Sequence, residues 1–359
     1  MGEEHRAITS APLHGSSYTD ATTPVQLHGN NAMTVAIEDI AAAAGRLEGV
    51  SIKTPLLQSF VLNDRSGAEV FLKPECLQHI GAFKFRGAYN RISQLSAAEK
   101  TFGVVAYSSG NHAQGVAYAA RLMATAATIV MPTDAPAIKI EGTEKLGAQI
   151  RFYDRHKESR EEIVAEIAAS TGAILVPAYD DEDVIAGQGT VGLELMQQLA
   201  DSDRVPDQIL SPCGGGGLLA GVSTAVTALN PQTRVYGVEP ENIDDHLRSK
   251  LAGERVSIDV NSTTLCDALM APAPGEITWA INSQTVEDYL LVSEAEIAYA
   301  VSFAFRYLKL VVEPGGAAAL AAVLANKLDF SGETVGLILS GGNIDRQTLD
   351  RCLQQFPSP

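Results

Sequence analysis

The chain is poor in positive charge. Its 26 lysines and arginines stand against 43 aspartates and glutamates in 359 residues, and the formal net charge is −17. A protein that binds a nucleic-acid backbone needs a basic surface, so we expect no nucleic-acid partner. Any anionic ligand must be held by backbone N–H groups, helix ends or a few placed cations.

Long apolar runs are also missing. No stretch is long enough to span a bilayer, which argues against contact with a membrane. Residues 1–6 lack the basic segment and apolar run of a secretory signal. We therefore expect a cytoplasmic protein.

Cysteine is scarce as well. Cys76, Cys213, Cys266 and Cys352 are the four cysteines, and no two of them have the CxxC spacing. This pattern argues against a zinc knuckle and against a disulfide framework. Buried small apolar side chains are the better interpretation.

What the sequence does contain is an alternation of short apolar runs with alanine-rich helical segments. Such alternation predicts an α/β fold whose parallel sheets are covered on both faces. Ligands of such sheets bind where strands lead into helices. The predicted strands are 104–107, 128–131, 149–153, 174–177, 208–212, 235–239 and 335–340. The predicted helices include 112–122, 159–170, 192–200, 218–229 and 317–327.

The pattern also suggests a domain division. Residues 1–33 are rich in Ser, Thr, His, Gly and Pro without any period, and we interpret them as a disordered arm or extension. Residues 103–178 carry three or four strand–helix units and are predicted to form a small mobile domain. The large domain would then comprise residues 34–102 and 179–359.

A lysine between aromatic residues marks the first loop of interest. Lys84 is flanked by Phe83 and Phe85. An apolar setting disfavours the ammonium form and lowers the amine pKa, which leaves a nucleophile for Schiff-base chemistry. The alternative is a lysine whose stem lies on apolar surface with its ammonium in water.

A second loop joins a predicted strand to a predicted helix. It reads Ser108, Ser109, Gly110, Asn111 and His112. Backbone N–H groups at a helix start attract anions such as a carboxylate, and Ser and Asn add side-chain donors. An ordinary helix cap favours the same residues, so the loop alone leaves both interpretations open.

Four consecutive glycines form a third strand-to-helix loop. Without side chains, such a loop can wrap an anion with its N–H groups, and a phosphate is the natural guest. The loop is neither a Walker motif nor a dinucleotide signature. Its position between a strand and a helix argues against a flexible linker. The loop comprises Gly214, Gly215, Gly216, Gly217 and Leu218.

Two further loops follow strands. Ser340 ends the strand before Gly341, Gly342 and Asn343, where its hydroxyl can bond a ring nitrogen or simply belong to a turn. The acidic stretch 239–245 suits a hard cation such as Mg²⁺ or Ca²⁺, and a solvated acidic loop explains it equally well.

The order of these loops resembles that of the fold-type II pyridoxal-phosphate (PLP) enzymes. Within them it resembles the serine racemase and serine/threonine dehydratase group, which includes 3-hydroxyaspartate dehydratases. The resemblance runs from about Ile37 to Asp345. It implies two parallel-sheet α/β domains of the tryptophan synthase β type, with PLP in the cleft between them. It also implies that the large domain binds PLP and that the protein is a homodimer.

The resemblance assigns roles around the cofactor. In that family the lysine of a Ser-Phe-Lys-x-Arg-Gly motif carries PLP, which implies this role for Lys84, although Ala82 replaces the motif serine. The glycine loop with Leu218 matches the phosphate-binding loop. Ser340 matches the residue that bonds the pyridine nitrogen, and Phe83 and Glu313 are placed beside the cofactor.

The resemblance also assigns the substrate side. The family's Ser-Ser-Gly-Asn-His loop holds the substrate carboxylate, which implies this role for Ser108, Ser109, Gly110, Asn111 and His112. The asparagine also contacts the cofactor hydroxyl. Ser109 matches the serine that faces the lysine across the cofactor plane in serine racemases, so it is a second candidate catalytic residue beside Lys84.

A divalent cation is implied at one more position. In the racemases it is held by a glutamate, a main-chain carbonyl and an aspartate. The matching residues are Glu239, Ile243 and Asp245. Mg²⁺ or Ca²⁺ is therefore a candidate second cofactor.

Two stretches depart from the family pattern. Gly315 and Gly316 follow Glu313-Pro314 where the family has Thr-Ala, and Ala268 follows Asp267 where racemases have glycine. Both departures are expected near the substrate and point away from a dedicated racemase.

We therefore expect a PLP-dependent ammonia-lyase that removes water from a small β-hydroxy amino acid such as serine, threonine or 3-hydroxyaspartate, giving a 2-oxo acid and ammonia. A serine racemase, alone or as a second activity, is the first alternative. A non-catalytic ligand sensor on the same fold and a β-replacement enzyme are others. The second carboxylate of 3-hydroxyaspartate needs a cation, and Arg155, His156 and Arg160 are unassigned candidates.

Overall fold

The computed structural model describes residues 34–135, 137–259 and 264–356. The predicted arm, 1–33, lies outside the described residues. Among the described residues no helix is both long enough and apolar enough to cross a bilayer.

Two sheets organise the described residues. The larger has the strand order β1-β2-β10-β7-β8-β9 and the smaller has the order β5-β4-β3-β6. All paired strands run parallel except β1 and β2. The strands are β1 (Leu57–Gln58), β2 (Glu69–Pro74), β3 (Val104–Tyr107), β4 (Ala127–Pro132), β5 (Gln149–Tyr153), β6 (Ile174–Leu175), β7 (Gln208–Pro212), β8 (Arg234–Pro240), β9 (Asp288–Val292) and β10 (Thr334–Leu339).

Helices cover both faces of the larger sheet. Leu72 and Leu337 belong to one buried apolar cluster, whereas the adjacent Phe71 and Ile338 belong to another. Because successive strand residues point to opposite faces, each face has its own core. The α/β class with covered parallel sheets is confirmed.

Each of these strands is followed by at least one helix. They are α1 (Ile37–Leu47), α2 (Phe60–Ser66), α3 (Lys84–Ser93), α4 (Ala97–Phe102), α5 (Asn111–Leu122), α6 (Ala137–Lys145), α7 (Arg160–Thr171), α8 (Glu182–Ala200), α9 (Gly217–Leu229), α10 (Asp245–Ala252), α11 (Glu276–Thr285), α12 (Glu294–Phe303), α13 (Ala318–Leu324) and α14 (Arg346–Gln355).

The smaller sheet takes its four strands from residues 104–175, and the larger takes its six from outside that range. The division into a mobile small domain (103–178) and a large one (34–102 and 179–359) stays a prediction.

Strands β2 and β9 were not predicted, and helix α8 is longer than predicted. It begins ten residues before the predicted start at 192, because glycines that resemble helix breakers serve packing instead. A Cβ on Gly187 would lie 2.6 Å from the Cα of Gly87 in α3. The close approach of α3 and α8 therefore requires glycine inside a helix.

A buried ion network fixes the start of α3. Arg86 binds Glu75 through Nε (2.8 Å) and Glu194 of α8 through Nη1 (2.7 Å). Lys73 of β2 donates to Glu194 at 2.7 Å. Two positive and two negative charges balance, and Lys73, Arg86 and Glu75 are fully buried. The network therefore ties β2, α3 and α8 together, two residues beyond Lys84.

Candidate active site

The lysine loop and the Ser340 loop are in direct contact. Helix α3 begins at Lys84, and the N–H of Phe83 just before it donates to the carbonyl of Ser340 at 3.1 Å. Ala82 and Gly341 form an antiparallel bridge alongside. Two loops that are 256 residues apart in sequence are thus joined at the carboxyl end of β10, as expected for a site in a parallel sheet.

The amine of Lys84 lies among protein atoms. Its Nζ donates to the carbonyl of Ala178 at 2.5 Å and lies 5.2 Å from the ring centroid of Phe83. Burial lowers the pKa of Lys84 to about 8. An amine with this pKa has a neutral fraction near neutral pH and can act as a nucleophile or a base.

Asn111 connects the Ser-Asn loop to the other two. Its Nδ2 donates to Oε1 of Glu313 at 2.6 Å, and its Oδ1 accepts from Nδ2 of Asn343 at 2.8 Å. Asn343 also donates to the carbonyl of Ile80 at 2.8 Å, just before the lysine loop. Burial raises the pKa of Glu313 to about 7. The structure therefore brings Asn111, Glu313 and the Ser340 loop together.

The Ser-Asn loop turns from β3 into α5. The hydroxyl of Ser108 accepts the N–H of Gly110 at 3.1 Å, and Ser109 is half-buried. His112 is buried, and its Nε2 lies 2.8 Å from the carbonyl of Val176, which requires the proton on Nε2. Burial and the charge of Lys84 lower the pKa of His112 to about 3.

These contacts bear on the predicted carboxylate site. Neutral His112 has one ring proton, and that proton is already donated to the Val176 carbonyl. The ring therefore has no N–H left to donate to a substrate carboxylate. The N-terminal N–H groups of α5 and the hydroxyls of the two serines are the donors that the geometry leaves.

The glycine loop lies at the start of α9. A Cβ on Gly215 would be 2.5 Å from the ring of Tyr179, and one on Gly216, whose φ is +91°, would be 2.7 Å from His246. Phe83 packs on the apolar cluster that contains Leu218. Larger residues cannot occupy this loop, which leaves its backbone free to approach a ligand closely.

The carbonyl side of that loop is held by side chains. Thr278 Oγ1 donates to the carbonyl of Gly215 at 2.8 Å, and Asn282 Nδ2 donates to that of Gly216 at 3.3 Å. In a trans peptide the N–H points opposite to the C=O. The N–H groups of Gly216 and Gly217 therefore point away from α11, as a phosphate site requires.

The predicted metal residues lie together but are not equivalent. Glu239 accepts the N–H groups of His246 and Leu247 at 3.0 Å each. Asp245 is fully buried, neither carboxylate oxygen has a well-formed partner among the described residues, and burial raises its pKa to about 7. Ile243, which lies between these two residues in the sequence, is also buried.

No group of three or more His, Cys, Asp and Glu side chains is arranged around a common metal position in the described ranges. The predicted set has two carboxylates and one carbonyl, so it stays a prediction.

The two departures from the family pattern contact each other. A Cβ on Gly315 would lie 3.3 Å from Cβ of Ala268 and 3.1 Å from Cγ of Leu269. The absence of a side chain at 315 thus makes room for the methyl group at 268. The neighbouring Asp267 forms an ion pair with Lys139 of α6.

The three unassigned cations differ in position. Arg155 pairs with the exposed Asp134, and His156 is exposed. Arg160 pairs with Glu161 at 2.8 Å and lies over the ring of Tyr107, 4.8 Å from its centroid, and Tyr107 directly precedes Ser108. Of the three, Arg160 is the one placed beside the Ser-Asn loop.

Several site residues were missed by the sequence analysis. Asn343 lies in the Ser340 loop, which the sequence analysis identified, but its hydrogen bonds to Asn111 and Ile80 were not predicted. Ala178 and Tyr179 carry no local signal, because their contacts are with segments tens of residues away along the chain. Thr278 and Asn282 look like ordinary polar positions on a helix.

A half-buried lysine of lowered pKa and a glycine loop at the start of a helix are the features that a phosphorylated carbonyl cofactor held through an amine would need. The family model described as "Pyridoxal-phosphate dependent enzyme" matches residues 47–341, and the chain belongs to that family. The resemblance seen in the sequence is confirmed.

Similar proteins include enzymes of two activities. L-threo-3-hydroxyaspartate ammonia-lyases of Pseudomonas sp. and Saccharomyces cerevisiae are 46% and 44% identical over 307 residues, which is 86% of this chain and 95% and 93% of theirs. The structure of maize serine racemase is 37% identical with a TM-score of 0.83, covering 90% of this chain and 98% of that one.

Proposed function

We propose that this chain is a PLP-dependent ammonia-lyase that converts L-threo-3-hydroxyaspartate to a 2-oxo acid and ammonia. The observation that carries the proposal is the Lys84 amine, which rests on the Ala178 carbonyl with a pKa near 8 where three loops meet. The two ammonia-lyase relatives support the substrate.

The residues present fit the cofactor. Lys84 would hold its aldehyde carbon, and the loop from Gly214 to Leu218 would bind its phosphate at the N-terminus of α9, where the helix dipole favours an anion. Ser340 and Asn111 would contact the ring nitrogen and hydroxyl, with Phe83 and Glu313 beside the ring. Bound PLP supplies an electron sink for charge that develops at the substrate Cα.

Lys84 also moves the proton. A neutral Nζ would accept the proton from the substrate Cα, and a pKa near 8 matches proton transfer near neutral pH. The carbonyl of Ala178 accepts a hydrogen bond from this amine and so orients it. Removal of the Cα proton is the step that loss of the β-hydroxyl requires.

Two places would hold the two substrate carboxylates. The Ser108, Ser109, Gly110 and Asn111 turn, at the start of α5, would bind the α-carboxylate. Arg160, stacked on Tyr107 next to that turn, would bind the second carboxylate, because a planar guanidinium pairs well with a carboxylate. This second contact would favour 3-hydroxyaspartate over serine and threonine.

The test measures release of ammonia and 2-oxo acid from L-threo-3-hydroxyaspartate, L-threonine and L-serine by the PLP-loaded protein. We expect release from hydroxyaspartate that is absent in Lys84→Ala. Arg160→Gln should raise KM for hydroxyaspartate about tenfold or more and leave KM for threonine nearly unchanged, since a charge-assisted pair is worth about 1.5–3 kcal/mol. Arg155→Gln is the matched control.

Other outcomes have definite meanings. Threonine as the better substrate, with equal effects of Arg160→Gln on both, would contradict the role of Arg160 and the choice of substrate. Failure of the wild type to develop a Schiff-base absorbance with PLP would favour the non-catalytic sensor.

Racemisation is a second candidate activity, supported by the structural similarity to maize serine racemase and by the half-buried Ser109. A hydroxyl that faces Lys84 across the cofactor would return a proton on the opposite face. Ser109→Ala should then lower inversion of L-serine much more than it lowers ammonia release from hydroxyaspartate. Equal loss of both would leave Ser109 with substrate binding alone.

A divalent cation held by Glu239, Asp245 and the Ile243 carbonyl is a further proposal. Its support is the buried Asp245 carboxylate, which has no well-formed partner in the described part of the chain, since buried charges are normally paired or bind metals. Mg²⁺ or Ca²⁺ should raise Tm of the wild type and leave that of Asp245→Asn unchanged. At a cation concentration of ten times Kd, the gain in the free energy of unfolding should be about 1.4 kcal/mol. An equal rise in both would contradict this site.

The homodimer and the cytoplasmic location stay predictions. Light scattering of the purified protein measures the mass directly, and a monomer would contradict the dimer.

A further inference from the structure

Three consecutive residues between β6 and α8 each contact a different part of the site. The carbonyl of Ala178 accepts a hydrogen bond from the Lys84 amine, and the ring of Tyr179 lies against Gly215. The carboxylate of Asp180 accepts three N–H groups of helix α11. These residues, the 178–180 segment, therefore touch both the lysine and the elements around the glycine loop.

Helix α11 is capped from outside its own sequence. Its N-cap residue, Gly275, has no side chain, and Asp180 takes over by accepting the N–H groups of Glu276 (2.9 Å), Ile277 (2.9 Å) and Thr278 (3.2 Å). A Cβ on Gly275 would lie 2.3 Å from Oδ1 of Asp180. The glycine thus leaves the space that the distant carboxylate fills, at a helix end that favours negative charge.

The capped helix carries the side chains that hold the glycine loop. Thr278 is one of the residues whose N–H Asp180 accepts, and its hydroxyl donates to the carbonyl of Gly215. Asn282, one turn further, donates to the carbonyl of Gly216. Both residues are fully buried, so they move with the helix.

We propose that Asp180 is a positioning residue for the cofactor phosphate. By fixing the first turn of α11, it holds Thr278 and Asn282 against the carbonyl oxygens of the loop and so keeps the N–H groups of Gly216 and Gly217 turned to the opposite side. Because Ala178 belongs to the same segment, the resting place of the Lys84 amine is set relative to that loop.

The proposal is tested by cofactor binding without substrate, which separates it from the proposed substrate and reaction. The apoprotein is titrated with PLP and, in parallel, with pyridoxal, which has the aldehyde but no phosphate. Asp180→Asn should weaken PLP about tenfold or more, Thr278→Val about three- to tenfold, and neither should weaken pyridoxal. The phosphorus NMR signal of bound PLP should shift in both variants.

A double mutant tests whether Asp180 acts through Thr278. If it does, Asp180→Asn combined with Thr278→Val should weaken PLP hardly more than Asp180→Asn alone, because residues that act as a unit are not additive. Additive losses would overturn the proposal.

Ser96→Ala is the matched control for loss of a helix cap. Ser96 caps α4 through the N–H of Glu99 and lies on an exposed helix. The Ser96→Ala substitution should lower Tm without changing PLP affinity. A Tm loss in Asp180→Asn with PLP affinity and the phosphorus signal unchanged would reduce Asp180 to a structural cap, and an equal loss of pyridoxal binding would likewise overturn the proposal.

Discussion

The charged groups in and around the site form two sets that are neutralised to different degrees. The balanced set is Lys73, Glu75, Arg86 and Glu194, and the unbalanced set is Lys84, Asp245 and Glu313. The two sets meet in the first turn of α3, where Arg86 and Lys84 are two residues apart. Arg86 is fully buried and makes contacts to Glu75, Glu194, the Thr190 hydroxyl and the Ile52 carbonyl. Lys84 has one carbonyl as its hydrogen-bond partner among the described residues. Complete neutralisation fixes the helix, and incomplete neutralisation leaves an amine that can react.

The same contrast extends to the acids. Glu75 and Glu194 are matched by Arg86 and Lys73, whereas Glu313 is held by an amide and Asp245 has no well-formed partner in the described part of the chain. Burial accordingly raises the pKa of Glu313 and of Asp245 to about 7 each. Charges without matching countercharges thus concentrate at the predicted cofactor and metal positions.

The largest effect is expected in the balanced set. Arg86→Met leaves the buried Glu75 and the partly buried Glu194 with less countercharge and should lower the free energy of unfolding by about 3–5 kcal/mol. The check is urea unfolding of the apoprotein. Arg204→Met is the control, because Arg204 pairs with Glu69 at the surface and its loss should change the free energy of unfolding little. Equal losses would contradict the contrast between the two sets.

A smaller effect of opposite sign is expected at Lys84. Its pKa is lowered from 10.5 to about 8, so the folded apoprotein disfavours the charged amine at neutral pH. Lys84→Met should therefore raise the free energy of unfolding at pH 7, by about 1 kcal/mol.

The pH dependence gives the sharper test at Lys84. The penalty of the charged amine is complete below pH 8 and disappears as pH rises to 10.5, so the advantage of Lys84→Met should shrink over that range. Lys53→Met, at an exposed position, should show no such trend. An advantage that is independent of pH would mean that packing, not charge, is responsible.

How much of this could be predicted from sequence differs between the two sets. The reactive lysine was identified from its aromatic neighbours and the order of the loops, which are local signals. Arg86 stood in the same motif, but its partners come from β2 and α8, and strand β2 itself was not predicted. Long-range neutralisation leaves no periodic pattern in the chain.

The same limit explains the 178–180 segment. The glycine loop was predicted because four glycines between a strand and a helix are a local signal. Asp180 caps a helix 96 residues further along, and the gap that it fills is made by Gly275, so neither residue signals the other. Gly187 of α8 packs on Gly87 of α3, 100 residues away along the chain, so neither glycine signals that contact either.

The smallest effect is expected at Glu313. An acid whose pKa is raised to about 7 adds stability that is complete below its ordinary value of 4.5 and is lost as pH rises through 7. Glu313→Gln keeps an oxygen for the Asn111 amide but cannot ionise. Relative to wild type, the apoprotein variant should therefore gain about 0.5–1 kcal/mol between pH 5 and pH 8. Glu241→Gln, at an exposed position, is the control. If the wild type and Glu313→Gln keep a constant difference across that range, Glu313 carries no unneutralised charge, and the contrast between the balanced and unbalanced sets would be confined to Lys84 and Asp245.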